Sequence, residues 1–187
     1  MMYEDPGWRG VLGRVGGAIF RPGKASHSGE GLNGVSTLRA MFLAFVLPLP
    51  MYLYVVFAIV EGEGEPLQTW AVSAIVLAGV LAIVGARWAA TRPLATSSEQ
   101  ELASSFRRNF LIGIAFAEGP MLLGLVLALV ERSRRPFLVG LAFTLVGLWI
   151  VAPTRGQIER RQRDVTAAGS PLSLGEALSR SYPRSEP

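Results

Sequence analysis

The chain has 187 residues, half of them apolar and only 17% charged, with a formal net charge of +4, no cysteine and one histidine. Because soluble domains carry about 25% charged residues, this composition favours an integral membrane protein over a soluble enzyme. Without cysteine, and with His27 as the single histidine, the sequence excludes thiolate and histidine metal sites and serine triads, so we expect a non-enzymatic protein without a cofactor or metal.

Residues 1–36 form a predicted N-terminal arm, in which apolar side chains recur with helical spacing while arginines occupy other positions. The apolar positions are Trp8, Val11, Leu12, Val15 and Ile19, and the basic ones include Arg9, Arg14 and Arg21. This pattern predicts a short amphipathic helix that lies along the membrane surface, with these arginines on the lipid headgroups. The arm also contains several glycines, which lower helix propensity, so a flexible arm is the alternative.

Residues 37–153 contain four long apolar runs, of which only one is interrupted by a charge. They are Met41–Val60, Thr69–Ala86, Phe110–Val130 and Pro136–Ala152. Roughly 20 apolar residues in a helix cross the hydrocarbon layer, which is about 30 Å thick. We therefore predict an all-α membrane bundle of four spans; the alternative is that one or two runs are core helices of a soluble domain.

The distribution of basic residues predicts the orientation of these spans. With four spans, 15 of the 18 arginines and lysines lie on the side of the two termini and three lie on the other. Such residues accumulate on the cytoplasmic side, so both termini are predicted to be cytoplasmic, and the charge bias suits a bacterial inner membrane. Short loops after the first and third spans predict two antiparallel helical hairpins. The Ser98-x-x-Glu101 pattern predicts that the third helix begins well before the membrane.

Residues 154–187 form a predicted basic cytoplasmic tail. Arg160 and Arg161 lie in its arginine-rich first part, where we expect contact with lipid headgroups. The pattern Ser173-x-x-Glu176 could start one short helix. A helix of about eight residues is marginal by itself in water, so we expect a mobile tail.

Glu118 is the one charge inside an apolar run and lies near the middle of the third span. An acidic residue at this depth costs about 2.5–3.5 kcal/mol, so we expect it to face the bundle interior and to find a partner. The candidate partners at similar depth are Tyr52, Tyr54 and Thr144. Pro120 cannot donate to the carbonyl four residues before it, so it should kink the helix beside the acid. Two roles stay open, a structural pin between helices and an ion-binding group.

Other helix-altering residues occur in the first and fourth spans. Pro48 and Pro50 should bend or break the first span, either as a static kink or as the broken helix of a transporter. Gly140, Thr144 and Gly147 place small residues on one face of the fourth span and permit close helix contact, within the bundle or with a partner.

The segment Ala117-Glu118-Gly119-Pro120-Met121-Leu122-Leu123-Gly124-Leu125-Val126-Leu127-Ala128-Leu129 resembles the carboxylate-bearing helix of the rotary ATPase proteolipid, subunit c. In that family an acidic residue is followed six positions later by Gly-Leu-Val and then Ala-Leu. The resemblance implies that Glu118 binds a proton or sodium ion. It covers 13 residues; the preceding span lacks the family's repeated Gly-x-Gly pattern. More broadly, the chain resembles small uncharacterised four-span bacterial inner-membrane proteins.

Two functions follow from these features as expectations. The first is a non-catalytic accessory subunit of a larger membrane complex, with anionic lipid and other membrane subunits as partners and no nucleic acid. The alternative is proton or cation translocation through the bundle with Glu118 as the titrating group. A membrane enzyme ranks third, because Glu118 has no second embedded acid, base or metal ligand beside it.

Overall fold

The computed structural model describes Trp8 and residues 34–60 and 69–179. Within these residues all regular structure is helical, and no strand occurs. The helices are α1 (Gly34–Val46), α2 (Pro48–Ile59), α3 (Thr69–Thr91), α4 (Glu99–Val130), α5 (Arg135–Val151), α6 (Arg155–Ala167) and α7 (Leu174–Ser179). The all-α prediction is confirmed.

Among the described residues, three helical segments are long and apolar enough to cross a membrane: Val35–Ile59, Trp70–Thr91 and Glu99–Val130. The count becomes four if α5 and α6, which are bent by 53° relative to each other, form one span. The 17 residues of α5 correspond to about 25 Å at 1.5 Å per residue, which is at the short end of the spanning range. The protein is therefore membrane-embedded, and its described residues contain three helices, or four if the bent pair is one span, that are long and apolar enough to cross a membrane.

The local sequences around Leu47 and Ser98 account for how α2 and α4 begin. Leu47 is a single turn residue between α1 and α2, and Pro48 follows it as the first residue of α2. At the start of α4, the Ser98 hydroxyl accepts a hydrogen bond from the Glu101 backbone N–H at 3.2 Å, and the Ser97 hydroxyl bonds the Glu101 carboxylate. The prediction that the third helix starts well before its apolar run is confirmed, because α4 begins at Glu99.

The described chain divides into two compact units that are not continuous in sequence. Unit 2 consists of Leu47–Pro93 and Phe106–Ala152 and contains α2, α3, most of α4, and α5. Unit 1 consists of α1, the segment Leu94–Ser105, and the described residues from 153 onward.

In unit 2, α4 and α5 form an antiparallel hairpin whose backbones approach closely at three glycines. A Cβ atom added to Gly124 would lie 2.6 Å from the Pro136 carbonyl oxygen, and one added to Gly147 would lie 2.8 Å from the Ala117 Cβ. Between them, Gly140 packs against the carbonyl of Pro120. Because the contacts run from one end of α5 toward the other, α5 lies antiparallel along α4 over most of its length.

The third helix of this core, α3, is antiparallel to α4 and parallel to α5. Near its start, Ala71 and Ile75 form a buried cluster with Leu127 of α4. Farther along, the Phe143 ring lies over Gly79 and the Phe116 ring lies over Gly85, so each glycine accepts an aromatic side chain from a neighbouring helix. The predicted small-residue contacts are thus inside the bundle.

Unit 1 has a core formed by α1, α6 and α7. Leu174 and Leu178 of α7 are buried, as are Val165 of α6 and Leu38 of α1, and α7 packs against both neighbouring helices. The structure therefore differs from the expected mobile tail over residues 154–179. The expectation treated the short helix as isolated, whereas tertiary contacts supply the stabilisation that its length does not.

One polar side chain organises the turn between α6 and α7. The Gln162 side-chain nitrogen donates to the Leu172 carbonyl at 3.1 Å, and its side-chain oxygen accepts from the Leu174 N–H at 2.6 Å. The Ser173 hydroxyl then accepts from the Glu176 N–H, as the predicted helix-start pattern requires. Of residues 1–33 only Trp8 is described, so the predicted amphipathic helix with Arg9, Arg14 and Arg21 lies outside the described residues.

Candidate functional site around Glu118

Glu118 lies at the border between the buried and the exposed faces of α4. Ile114 and Met121, one turn away on one side, are buried, whereas Ala115 and Leu122 on the other side are exposed. The side chain itself is half-buried, and the expectation that it faces the bundle interior is met only in part. Hydropathy indicates which helices enter the membrane, but it does not indicate which of their faces neighbouring helices cover.

The depth of Glu118 follows from its neighbours on α4. Ala117 contacts Gly147 and Met121 contacts Thr144, so Glu118 lies level with the middle of α5. Gly119, the next residue, is exposed, and a Cβ atom added to it would have no atom within 4 Å. The carboxyl group is therefore at mid-span on a flank that the described residues leave open.

Thr144 forms a hydrogen bond with the backbone of α4 next to Pro120. Its hydroxyl oxygen accepts a hydrogen bond from the Met121 N–H at 3.2 Å, and both residues are buried. Pro120 has no N–H, so it cannot form the usual helical hydrogen bond at its own position. The Thr144 hydroxyl accepts from the N–H of the next residue, Met121. Thr144 supports the backbone of α4 here, and no hydrogen bond between it and Glu118 is found among the described residues.

The two tyrosines are not joined to Glu118 either. Tyr54 is 74% exposed on the outer face of α2, and Tyr52 is half-buried. Within the described residues the Glu118 carboxyl makes no hydrogen bond or ion pair with either tyrosine. The structure thus places the acid two residues before Pro120 within an uninterrupted α4, and the described residues form no relay of hydrogen-bonding groups around it.

The exposed face of α2 includes the second proline of the bend. Leu47, Pro50, Met51 and Tyr54 are all exposed, whereas Leu49 is buried. Pro50 removes one backbone donor on this face, and the carbonyl four residues before it loses its usual partner. Leu47 itself has a helical backbone conformation, so the interruption of the first span is limited to this single turn residue, and one side of it is uncovered by the described residues.

Arg134 holds the end of α2, a role that the sequence did not indicate. Its Nε donates to the Val60 carbonyl at 2.9 Å, its guanidinium also donates to the Phe57 carbonyl at 3.1 Å, and its Cζ lies 4.6 Å from the Phe57 ring centroid. These carbonyls end a helix and have no partner within it, so a cation is favourable here. From sequence, the only signal for Arg134 was its position in a short loop.

In unit 1, Arg39 has a comparable position that was also missed. It is only 1% exposed, its Nε donates to the Pro153 carbonyl at 3.5 Å, and its guanidinium lies 5.4 Å from the Trp8 ring centroid. Trp8 also meets the Phe42 ring edge-on at 5.9 Å. A basic residue that looked like part of a surface charge bias is therefore a core residue of this unit.

The two arginines predicted to contact headgroups in the tail have different surroundings. Arg160 is exposed, but Arg161 is only 6% exposed and lies 3.4 Å from the Asp164 carboxylate. Burial lowers the pKa of the Arg161 guanidinium, and the charge of Asp164 opposes this shift. The headgroup expectation for Arg161 is corrected, because a buried guanidinium does not reach lipid; for Arg160 it stays a prediction.

Among the described residues no group of three or more acidic or histidine side chains could hold a metal ion. No family model, no curated protein and no solved structure matches the chain. The resemblance to the rotary ATPase proteolipid thus stays a local likeness of residues 117–129 and carries no family assignment.

Proposed function

We propose that the protein is a non-catalytic accessory subunit that packs against a larger membrane protein assembly. The observation that carries the proposal is the half-exposed carboxyl of Glu118 at mid-span without a partner among the described residues. A carboxyl at this depth is costly unless a hydrogen-bond donor reaches it, and lipid chains offer none. A partner helix with a donor at the same depth would remove this cost.

The surroundings of Glu118 favour a helix as the covering group. Ala115 and Gly119 are small and exposed on the same flank, and they would let a partner backbone approach closely. Small residues of this kind characterise helix contacts in membranes, where hydrogen bonds across the contact contribute about 0.6–2 kcal/mol. Leu122 would extend the contact by one turn.

The first span gives independent support for a partner. Only 11% of its most apolar window is buried, compared with 44% for the span of α4. Pro50, which is exposed, cannot donate to the carbonyl four residues before it, so this carbonyl lacks its usual helical donor. Irregular backbone at membrane depth is tolerated where protein or water covers it, so this face also suits a neighbouring subunit. We propose four spans in a bacterial inner membrane with both termini cytoplasmic, on the charge bias alone.

Native mass spectrometry after extraction in a mild detergent tests the accessory role. We expect an assembly heavier than the 20.1 kDa chain. Glu118→Leu should release the partner because it removes every polar atom, whereas Glu118→Gln should retain it because the amide can still bond. Trp149→Leu is the control, because Trp149 is 84% exposed on α5. A solitary wild-type chain, or a Glu118→Leu variant that keeps its partner, would refute the proposal.

Proton or cation movement is the second candidate, and the position of Glu118 beside Pro120, which removes one backbone donor from the helix, favours it. A titrating acid next to a disrupted helix is a common ion-binding arrangement in transporters. Flux through proteoliposomes that contain the purified chain tests it. If Glu118→Gln abolishes cation flux and keeps the helical circular dichroism spectrum, translocation replaces the accessory role. Equal flux in wild type and variant would dismiss this candidate.

A further inference from the structure

One side of α4, the open face, is exposed along the whole apolar run. Its residues recur every three or four positions, as one side of a helix requires, and they are Leu111, Ala115, Gly119, Leu122 and Val126. Glu118 lies at the edge of the open face and contributes the only polar side chain of residues 110–130. A helix that covers the open face therefore has to supply one hydrogen-bonding group, at the depth of Glu118.

The centre of the open face is small. Ala115 and Gly119 are one turn apart, and an added Cβ at Gly119 would meet no atom within 4 Å. At every other described glycine of α3, α4 and α5 an added Cβ would lie less than 3.0 Å from another residue, so those glycines serve contacts within the chain. Pro120 restricts the residue directly before it, whereas Ala115 has no such local reason to be small. Small residues at this spacing let the backbones of two membrane helices approach closely.

A second copy of the chain meets both requirements of the open face. Two copies that insert with the same orientation are related by a two-fold axis perpendicular to the membrane, so the same residue lies at the same depth in both. In its neutral form a carboxyl group has one O–H donor and an acceptor oxygen. Two such groups that face each other across the axis form two hydrogen bonds, and each supplies the partner that the other lacks.

We infer that the open face of α4 binds the open face of a second copy, with the two Glu118 carboxyl groups paired across the axis and the helices crossing at Ala115 and Gly119. This inference rests on the proposed function, in which a helix covers Glu118, and it names the chain that supplies the helix. The assembly then contains the accessory subunit as a pair. The exposed side of α2 takes no part in this pairing and stays open to other members of the assembly.

Disulfide trapping in native membranes tests the pairing, because the chain contains no cysteine of its own. A disulfide requires Cβ atoms about 3.5–4.5 Å apart, which only residues near the crossing point reach. Ala115→Cys should therefore form an adduct of twice the 20.1 kDa chain mass under mild oxidation. Trp149→Cys is the control, because Trp149 is 84% exposed on α5, and it should form none. Equal adduct formation in the two variants would indicate random collision and overturn the pairing.

Förster resonance energy transfer between differently labelled copies of the full chain in lipid vesicles measures the dissociation constant. Ala115→Leu should weaken pairing at least about 10-fold, because the larger side chain separates the helices. Ala58→Leu is the matched control; it makes the same change on the exposed side of α2 and should alter pairing by less than about threefold.

Two substitutions at Glu118 test the carboxyl pair in the same vesicles, and circular dichroism checks that each variant is helical. Glu118→Leu removes the hydrogen bonds and should weaken pairing about 10-fold. Glu118→Gln keeps a donor and an acceptor and should stay within about threefold of the wild type. Equal pairing of these two variants, or wild-type pairing of Ala115→Leu, would overturn the inference.

The mass of the extracted particle separates this inference from the proposed function. A heavier particle that contains one copy of the chain, together with no adduct in Ala115→Cys, would overturn the pairing and leave the accessory role standing. A particle of two copies and no other protein would support the pairing and refute the accessory role. A solitary chain would overturn both.

Discussion

The close approach of α4 and α5 at Gly140 makes a quantitative prediction for Gly140→Ala. An added Cβ would lie 2.9 Å from the Pro120 carbonyl carbon and 3.2 Å from the Met121 Cα. Both atoms belong to the backbone, so the clash is relieved only if the two helices separate. Overpacking of this kind costs about 1–3 kcal/mol, and the better helix propensity of alanine returns up to about 1 kcal/mol. We therefore expect a net loss of about 1–2 kcal/mol.

The measurement is the free energy of unfolding in mixed micelles, obtained by denaturant titration and followed by circular dichroism. Gly156→Ala is the matched control, since Gly156 is exposed in α6 and an added Cβ there would meet no atom within 4 Å. This control should be neutral or more stable by up to about 1 kcal/mol. The reasoning is refuted if Gly140→Ala is as stable as the wild type while the control behaves as expected.

Three further substitutions test other contacts by the same unfolding assay. Thr144→Val removes the hydroxyl that accepts from the buried Met121 N–H and should cost about 1–2 kcal/mol of stability. Thr144→Ser keeps the hydroxyl and should retain most of the stability. Equal losses in the two variants would contradict the hydrogen bond. Arg134→Lys loses one of two helix-end contacts and should cost about 1 kcal/mol, with Arg132→Lys unchanged as control. Gln162→Ala should expose the turn before α7 to limited proteolysis, and unchanged cleavage there would contradict its role.

Local chemistry made several elements predictable from sequence. Pro48 and Pro50 predicted an interruption of the first span, where the structure has a single turn residue at Leu47, and the spacing of Ser98 and Glu101 predicted the start of α4. The small residues Gly140 and Gly147 marked a close helix contact. In each case the signal and the structure it determines are separated by only a few residues, or the contact depends on side-chain size alone.

Long-range contacts were not predictable in the same way. The charge bias predicted only the side of the membrane on which each arginine lies. In the structure Arg39 is buried, and Arg134 binds the end of a helix that lies about 75 residues earlier in the chain. The packing of α7 depends on Gln162, whose partners are about ten residues away. The open flank at Glu118 depends on how the other helices surround α4. Hydropathy predicts that this segment lies in the membrane, but it does not predict which of its faces another helix covers.

Site-specific photo-cross-linking in native membranes tests most directly whether a partner protein covers Glu118. A photoreactive residue at Leu122, one turn from Glu118 on its exposed side, should form a protein adduct of fixed mass, and Glu118→Leu should abolish it. The same residue at Trp149, which is exposed on α5, should label only lipid. If the Leu122 position also labels only lipid, the flank faces the bilayer and the proposed subunit role is contradicted.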